Sequence, residues 1–393
     1  MKNTTAAIEF GTSKIICVIG QARSIGRFEV LGSGIVQYEG LKNGRWIRPS
    51  NVEDAIAKSI YLAEKKAKRR VKEAYIGVPG VFSRVICQEG FTEVKTGVIT
   101  AQDVDNLIKD ANRFSDDPRY SMVSATPVYF SPDEAGPSID VVGIKAAEIY
   151  GKISFVFANR QFMRDAETYM ESLGVKVRAF IPDLLAESLF LVPPEERDAS
   201  AVLLNVGYHD TNVTVVYGDA IVYNKTIPIG GMQLANDLSV VMNVDADAAE
   251  QIKKRYSFGL ENTGAKYYDY ARQKSGRLEK FSHTMVADII EARTEQLCAL
   301  ITQAMEQSPL SIARRTRIFL SGGGLAMMKG ARDMLQSQLK RQIRMPGVEA
   351  PQLSTPNYYT ALALLDYVFE SDYFDEGYSG KSLFNRLSEK MYD

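Results

Sequence analysis

Short apolar runs broken by glycine-bearing turns set the rhythm of the first eighty residues. Residues 5–19 (Thr-Ala-Ala-Ile-Glu-Phe-Gly-Thr-Ser-Lys-Ile-Ile-Cys-Val-Ile) predict strand, tight turn, strand, and residues 27–38 predict a third strand that closes an antiparallel set. The period then lengthens. Val52, Ile56, Ile60 and Ala63 fall on one face of a helix expected over 51–70, with Ser50 or Asn51 as its N-cap. A strand at 73–78 ends at Pro79-Gly80, giving the order β-β-β-α-β. Residues 81–160 have another texture: a strand near 82–88, a helix over 101–114 capped by Thr100, and strands near 120–130 and 149–157 separated by a loop at 131–143. A helix at 160–173, a strand at 175–181 and a helix at 183–192 follow, and Pro193-Pro194 breaks the pattern.

The second half restarts the first. Strands are expected at 201–206, 212–217 and 220–227, helices at 231–242, 246–255 and 280–306, then a strand at 317–320 and helices at 329–340 and 356–369. This is an internal repeat of strand-turn-strand units, so a duplicated α/β fold is expected.

Three turns in this frame carry candidate chemistry: Glu9-Phe10-Gly11-Thr12-Ser13-Lys14, the stretch 205–212 containing Gly207 and Thr211, and Ser321-Gly322-Gly323-Gly324. Each ends an apolar run and delivers backbone N–H groups and small side chains to one point, which is what a polyphosphate needs. Any one of them alone reads more readily as the end of a buried strand; the ordered set of three is what points to phosphate.

Composition narrows the classes. The 393 residues exceed what one hydrophobic core organises, so several domains are expected. Forty-seven basic against forty-eight acidic residues leave a net charge of −1, without the basic excess of a dedicated nucleic-acid binder. The basic run Lys65-Lys66-Ala67-Lys68-Arg69-Arg70 reads as a solvated helix end. Three scattered cysteines, Cys17, Cys87 and Cys298, speak against a disulfide framework and against metal-thiolate chemistry. With no leader pattern and no stretch of eighteen apolar residues, a cytoplasmic chain is expected.

The duplicated unit, the phosphate turns and the late triple glycine together resemble the actin-like ATPase superfamily, and within it the bacterial cell-division FtsA family. Further segments carry the resemblance: Gly40-Leu41-Lys42-Asn43-Gly44-Arg45-Trp46-Ile47, Gly97-Val98-Ile99-Thr100 with Asp103-Val104, Pro127-Val128-Tyr129, Ile227-Pro228-Ile229-Gly230-Gly231, Ala249-Glu250-Gln251-Ile252-Lys253 and Pro356-Asn357-Tyr358-Tyr359-Thr360-Ala361. The resemblance implies a duplicated, ribonuclease H-like two-lobed fold with an inserted α/β subdomain. Its divisions here are a first lobe at 1–80 and 161–198, an inserted subdomain at 81–160, a second lobe at 199–230 and 307–369 with a helical subdomain at 231–306, a linker at 370–380 and a terminal helix at 381–393. It also implies ATP with Mg²⁺ bound by Glu9, Gly11, Thr12, Ser13, Lys14, Gly207, Thr211, Glu250, Lys253, Gly322, Gly323 and Gly324, with Glu9 toward the metal.

One departure matters. Where the family's second phosphate turn reads Asp, glycines, Thr-Thr and Asp, this chain has Asn205-Val206-Gly207-Tyr208-His209-Asp210-Thr211-Asn212. Two carboxylates have become amides, which bring no negative charge to a metal or an attacking water. Tyr208 and His209 replace residues whose lack of a side chain lets amides reach phosphate, and Asp210 is the nearby acid that compensates in part. His209 reads as a relaxed constraint rather than a catalytic base. Two readings stay open: a pocket that still binds ATP with slow or absent hydrolysis, and a vestigial pocket on a scaffold. At most a weak ATPase is expected, with no catalytic residue assigned.

At the C-terminus, Leu383, Phe384, Leu387 and Met391 share one arc of a helical wheel, flanked by Lys390, which is the pattern of a short interfacial helix. The family carries a membrane-targeting helix at this place. Gly380-Lys381-Ser382 lacks the earlier glycine and the preceding strand of a phosphate loop and is set aside. The resemblance implies tethering of FtsZ filaments to cytoplasmic membrane lipids at the division site, self-assembly into a homopolymer through the inserted subdomain, a filament-binding surface in 232–305, contact with other division proteins, and no nucleic acid. The alternatives are a PilM-type pilus-assembly scaffold, which needs no terminal amphipathic helix, and a true ATP-dependent enzyme such as a sugar kinase or chaperone-type ATPase, which needs the acids that Asn205 and Asn212 lack.

Overall fold

The computed structural model describes residues 4–375 apart from 25–26, 43, 47–48, 114–116, 134, 260–266, 273, 349 and 351–352. The chain divides into two compact units, Met1–Ser200 with Thr214–Asn224 and Thr360–Asp393, and Ala201–Val213 with Lys225–Tyr359.

The first unit opens with β1 (Thr4–Phe10), β2 (Lys14–Ser24) and β3 (Arg27–Gln37), then the two-residue pair β4 (Leu41–Lys42) and β5 (Arg45–Trp46), α1 (Pro49–Ala67) and β6 (Glu73–Val78). β7 (Ser83–Glu93), α2 (Ala101–Ala111), β8 (Tyr120–Pro132) and β9 (Glu148–Asn159) follow, then α3 (Arg160–Ser172), β10 (Lys176–Pro182), α4 (Asp183–Leu191) and α5 (Pro194–Asp198). One five-stranded sheet runs in the order β10-β6-β1-β2-β3. β1, β2 and β3 pair antiparallel, while β1 with β6 and β6 with β10 pair parallel.

Strand alternation fixes which side chains enter the core. Ala6, Ile8 and Phe10 of β1 and Ile15, Cys17 and Ile19 of β2 face one cluster, which α1 covers with Val52, Ile56, Ile60 and Ala63. The opposite face is also buried: Ala7, Ile16 and Val18 are fully shielded. A helix descends onto a sheet this closely only where the strand has no side chain in the way. A Cβ on Gly34 of β3 would stand 1.8 Å from the Ser59 carbonyl oxygen of α1, and one on Gly32 would stand 2.4 Å from that of Ala63.

Within the region 81–160, β7, β9 and β8 form an antiparallel three-stranded sheet in that order. It has a core of its own, in which Val104, Leu107, Ile108 and Ala111 of α2 meet Ile149, Ile153, Phe155 and Phe157 of β9. Thr100 caps α2 in a reciprocal capping box with Asp103.

The second sheet is built from β11 (Ala201–Val206), β12 (Thr211–Tyr217) and β13 (Ala220–Ile227), and beyond α6 (Gly231–Val241), α7 (Ala246–Arg255), the hairpin β14 (Tyr267–Arg272) and β15 (Leu278–Ser282), and α8 (His283–Glu306), it gains β16 (Ile318–Ser321) and, after α9 (Ala331–Leu339), β17 (Ile343–Arg344). Its order, β13-β12-β11-β16-β17, repeats that of the first sheet strand for strand, with β11, β16 and β17 parallel. The duplicated actin-like fold is thus present in the strand order itself.

Two expectations shift. The helix expected from 280 starts at His283, because residues 278–282 pair with 267–272 as a hairpin. The last helix, α10 (Tyr359–Asp375), runs through the first part of the stretch expected as a tether. Its residues 361–365 are all fully buried, as a helix apolar on every side must be. Leu383, Phe384, Leu387 and Met391 lie outside the described residues.

The close approach of α1 to β3 makes a prediction. Gly34→Ala is expected to lower stability by about 1–3 kcal/mol through overpacking, read as a lower midpoint of urea unfolding; an unchanged midpoint would show that α1 can move off the sheet freely.

Candidate functional site

The first turn lies between β1 and β2. Because Ala6, Ile8 and Phe10 point into the core, the intervening Glu9 points to the other face, where it is 8 % exposed. The turn is tied down by Tyr38, whose hydroxyl donates to the Gly11 carbonyl at 2.9 Å and whose amide donates to the Ser13 carbonyl at 3.0 Å. A Cβ on Gly11 would stand 2.9 Å from the Lys14 carbonyl oxygen, so the bend itself requires glycine.

Two further carboxylates, which the sequence reading did not single out, share this environment: Asp183 and Glu187, both buried, on α4. Burial pushes the Glu9 carboxyl up to about 7; Lys14 opposes this and Glu187 adds to it. Asp183 is held well above the usual carboxylate range, first by burial and then by the charges of Glu9 and Glu187. Lys14 is drawn down by burial, with Glu9 as the opposing influence. Glu9 Oε2 and Asp183 Oδ1 are buried without a hydrogen-bond partner among the described residues. Gly77 of β6 makes the room: a Cβ there would stand 2.2 Å from Asp183 Oδ1. The available signal was a pair of acids at i and i+4 inside an apolar helix directly after a strand, a spacing that puts both on one face.

In the second unit the other two turns converge. The Gly207 amide donates to the Asp210 carbonyl at 2.8 Å, the Gly231 amide to Gly207 at 2.9 Å, the Met232 amide to Tyr208 at 2.8 Å and the Gly324 amide to Val206 at 2.7 Å. A Cβ would stand 2.8 Å from the Gly324 Cα at Gly231 and 2.2 Å from the Gly207 carbonyl oxygen at Gly324, so both require glycine, while one at Gly207 would press on the Asp210 carbonyl oxygen at 3.0 Å. Gly322 has φ +87°, a left-handed backbone that favours glycine, and Gly323 packs beside Asn357. The first amides of α6 are therefore taken up by the 207–208 turn, with Gly230 donating to Gln233 Oε1 at 2.8 Å. A helix N-terminus of this kind is otherwise a ready anion site.

Lys253 is the buried cation of this cluster. Its Nζ donates to the Gly231 carbonyl at 3.0 Å and to Glu250 Oε2 at 2.7 Å, and stands 5.8 Å from the centre of the Tyr208 ring. Burial lowers its pKa, and Glu250 works against that. Thr211 is fully buried and its hydroxyl donates to the Ile229 carbonyl at 2.7 Å. Asn212 Oδ1 accepts from the Thr226 hydroxyl at 2.8 Å, a bond an aspartate would accept equally, so the amide here removes charge without removing the contact. Burial pushes Asp210 up to about 6. The structure thus gathers Gly207, Lys253, Glu250 and Gly322, Gly323 and Gly324 in one cluster of the second unit, and Glu9, Gly11 and Lys14 in one turn of the first. Among the described residues no three of His, Cys, Asp and Glu are grouped to hold a metal by themselves.

The fold is the duplicated actin-like one, and solved structures share its architecture. The PilM-PilN type IV pilus biogenesis complex contains a chain with TM-score 0.67 at 14 % identity, covering 93 % of this chain and 99 % of that one. MreB 5 of Spiroplasma citri bound to AMPPNP gives 0.58 at 10 % identity, covering 96 % and 100 %. Sequence comparison goes further: the family described as cell division protein FtsA matches residues 202–363. Cell division protein FtsA of Pseudomonas aeruginosa is 22 % identical over 95 % of this chain and 92 % of its own length, and that of Escherichia coli K12 is 22 % identical over 94 % and 91 %. This chain is thus similar to the cell-division protein FtsA along nearly its whole length.

The buried acids predict a pH dependence. An unfolded glutamate loses its proton near 4.5, whereas Glu9 keeps it up to about 7 in the folded chain. A raised carboxyl stabilises fully below the unfolded value and loses that contribution as pH rises through the folded one. Stability is therefore expected to fall by roughly 2–3 kcal/mol as pH rises from about 4.5 to about 7. In urea unfolding across that range, Glu9→Gln should flatten the slope; an unaltered slope would show that Glu9 is ionised throughout.

Proposed function

We propose that this chain is an actin-like cell-division adaptor that tethers FtsZ filaments to the cytoplasmic membrane and assembles on itself, with ATP and Mg²⁺ bound and hydrolysis weak or absent. The observation that carries the proposal is similarity to FtsA along nearly the whole chain, insertion included. The nucleotide residues offered are Glu9, Gly11, Thr12, Ser13 and Lys14 in the first unit and Gly207, Thr211, Glu250, Lys253, Gly322, Gly323 and Gly324 in the second. A magnesium ion that travels with phosphates needs only one or two protein carboxylates, and Glu9, with its unpartnered oxygen, is the donor we assign. Weak hydrolysis agrees with Asn205 and Asn212, which bring no charge to the second turn, and with the amides of Gly207, Gly231, Met232 and Gly324 already engaged within the protein.

Attachment is assigned to Leu383, Phe384, Leu387 and Met391. No described helix is long and apolar enough to cross a membrane. Four apolar side chains contribute ~1.5–3 kcal/mol each at full burial and only part of that at an interface, so one copy binds weakly and a filament supplies the rest by avidity. The filament-binding surface is assigned to 232–305, where Val240 and Val241 of α6 are 75 % and 55 % exposed.

Sedimentation of the full chain with anionic liposomes, beside a chain truncated after Gly380, tests the adaptor. Binding that requires 381–393 is expected, with enhancement by Mg-ATP; binding indifferent to the truncation would shift the reading to a soluble scaffold of the PilM kind. For the nucleotide, Gly324→Ala forces a Cβ against the Gly207 carbonyl oxygen and is expected to weaken binding of an ATP analogue by roughly tenfold or more, measured by calorimetry. Equal affinity would remove the third turn from the site.

A further inference from the structure

In the second unit, away from the glycine turns, the end of α8, the segment leading to β16 and the end of α9 enclose a cleft of about 520 Å³. Its lining holds three cations, Arg314, Lys340 and Arg341, against a single acid, Glu306. Thr302, Ser308 and Ser311 add hydroxyls. Among the described residues no carboxylate pairs with any of the three cations. Arg341 is fixed in place, Nη1 donating to the Ala313 carbonyl and Nη2 to that of Ile312 at 3.3 Å. Its pKa is lowered by burial and then by the charge of Arg314, so the two guanidinium groups lie close enough to repel each other.

Two further features belong to the lining of the cleft. Ser308 Oγ is buried and has no hydrogen-bond partner among the described residues, although it lines the cleft. Lys340 sits at the C-cap of α9 with φ 52° and ψ 39°, in the left-handed region where glycine is the ordinary helix terminator.

We infer that this cleft is an anion site that takes a phosphate group, carried either by a small soluble molecule or by a lipid headgroup. Two guanidinium forks, an ammonium and a hydroxyl supply the several charge-assisted donors that a tetrahedral oxyanion accepts. The volume exceeds that of phosphate alone, and Leu310 and Leu339 offer apolar wall to the organic part of a phosphate ester.

Titration of the full chain with glycerol 3-phosphate, without Mg²⁺, followed by calorimetry, tests this in the wild type, Arg314→Gln and Lys340→Gly. Each variant is expected to bind roughly tenfold more weakly or worse, the loss of one charge-assisted contact. Lys340→Gly should melt at or above the wild-type temperature, because glycine relieves the left-handed strain, so its loss of binding is not a loss of folding. Flotation of the chain truncated after Gly380 with phosphatidylcholine vesicles, with and without phosphatidylglycerol, separates the sources free of any binding by 381–393. Retention on the anionic vesicles that drops in Arg314→Gln assigns the site to a lipid headgroup; unchanged retention beside lost glycerol 3-phosphate binding assigns it to a soluble ester. No phosphate binding by the wild type, or affinity unchanged in both variants, overturns the proposal.

Discussion

Backbone packed against backbone, permitted only where a Cβ is absent, is the constraint on which the rest of this protein depends. In the first unit it brings α1 down onto β3 at Gly32 and Gly34, which closes the core beneath the first turn. In the second it locks three separate chain segments together through Gly207, Gly231 and Gly324. Hydrogen bonds made at such short range fix the turns without help from side chains. The same bonds consume the amides that an anion would otherwise receive, so rigidity of the second turn and its capacity to greet phosphate oppose each other. Tyr208 then covers Lys253 where a smaller residue would leave it open.

The two repeats have diverged in opposite electrostatic directions. The first turn keeps Glu9 near Asp183 and Glu187, acids crowded in a medium where charge is poorly solvated, and proton uptake is the local remedy. A bound cation would be another, because it neutralises the same charge without the proton. The second turn has lost that tension: Asn212 is satisfied by Thr226, and Asp210 accepts the Gly207 amide through its carbonyl.

The repeat was legible because its signals are local. Period-two runs ending at glycine, the Thr100 capping box and the apolar stripe of α1 each depend on residues a few positions apart, and the strand order repeated in both sheets agrees with them. The hairpin at 267–282 was not legible, since Leu278 is exposed and Leu278–Ser282 ran on from the helical pattern expected over 280–306. Nor were Asp183 and Glu187: in a helix whose neighbours are Leu184, Leu185 and Leu191, two acids read as the polar side of a surface helix. Only the register of β10 against β6, which brings Pro182 opposite Val78 and sets α4 over Gly77, reveals that this side faces Glu9 and not water. Spacing along the chain puts Asp183 and Glu187 on one face, but which surroundings that face meets is set by a long-range pairing, and that part of the chemistry cannot be read from the sequence.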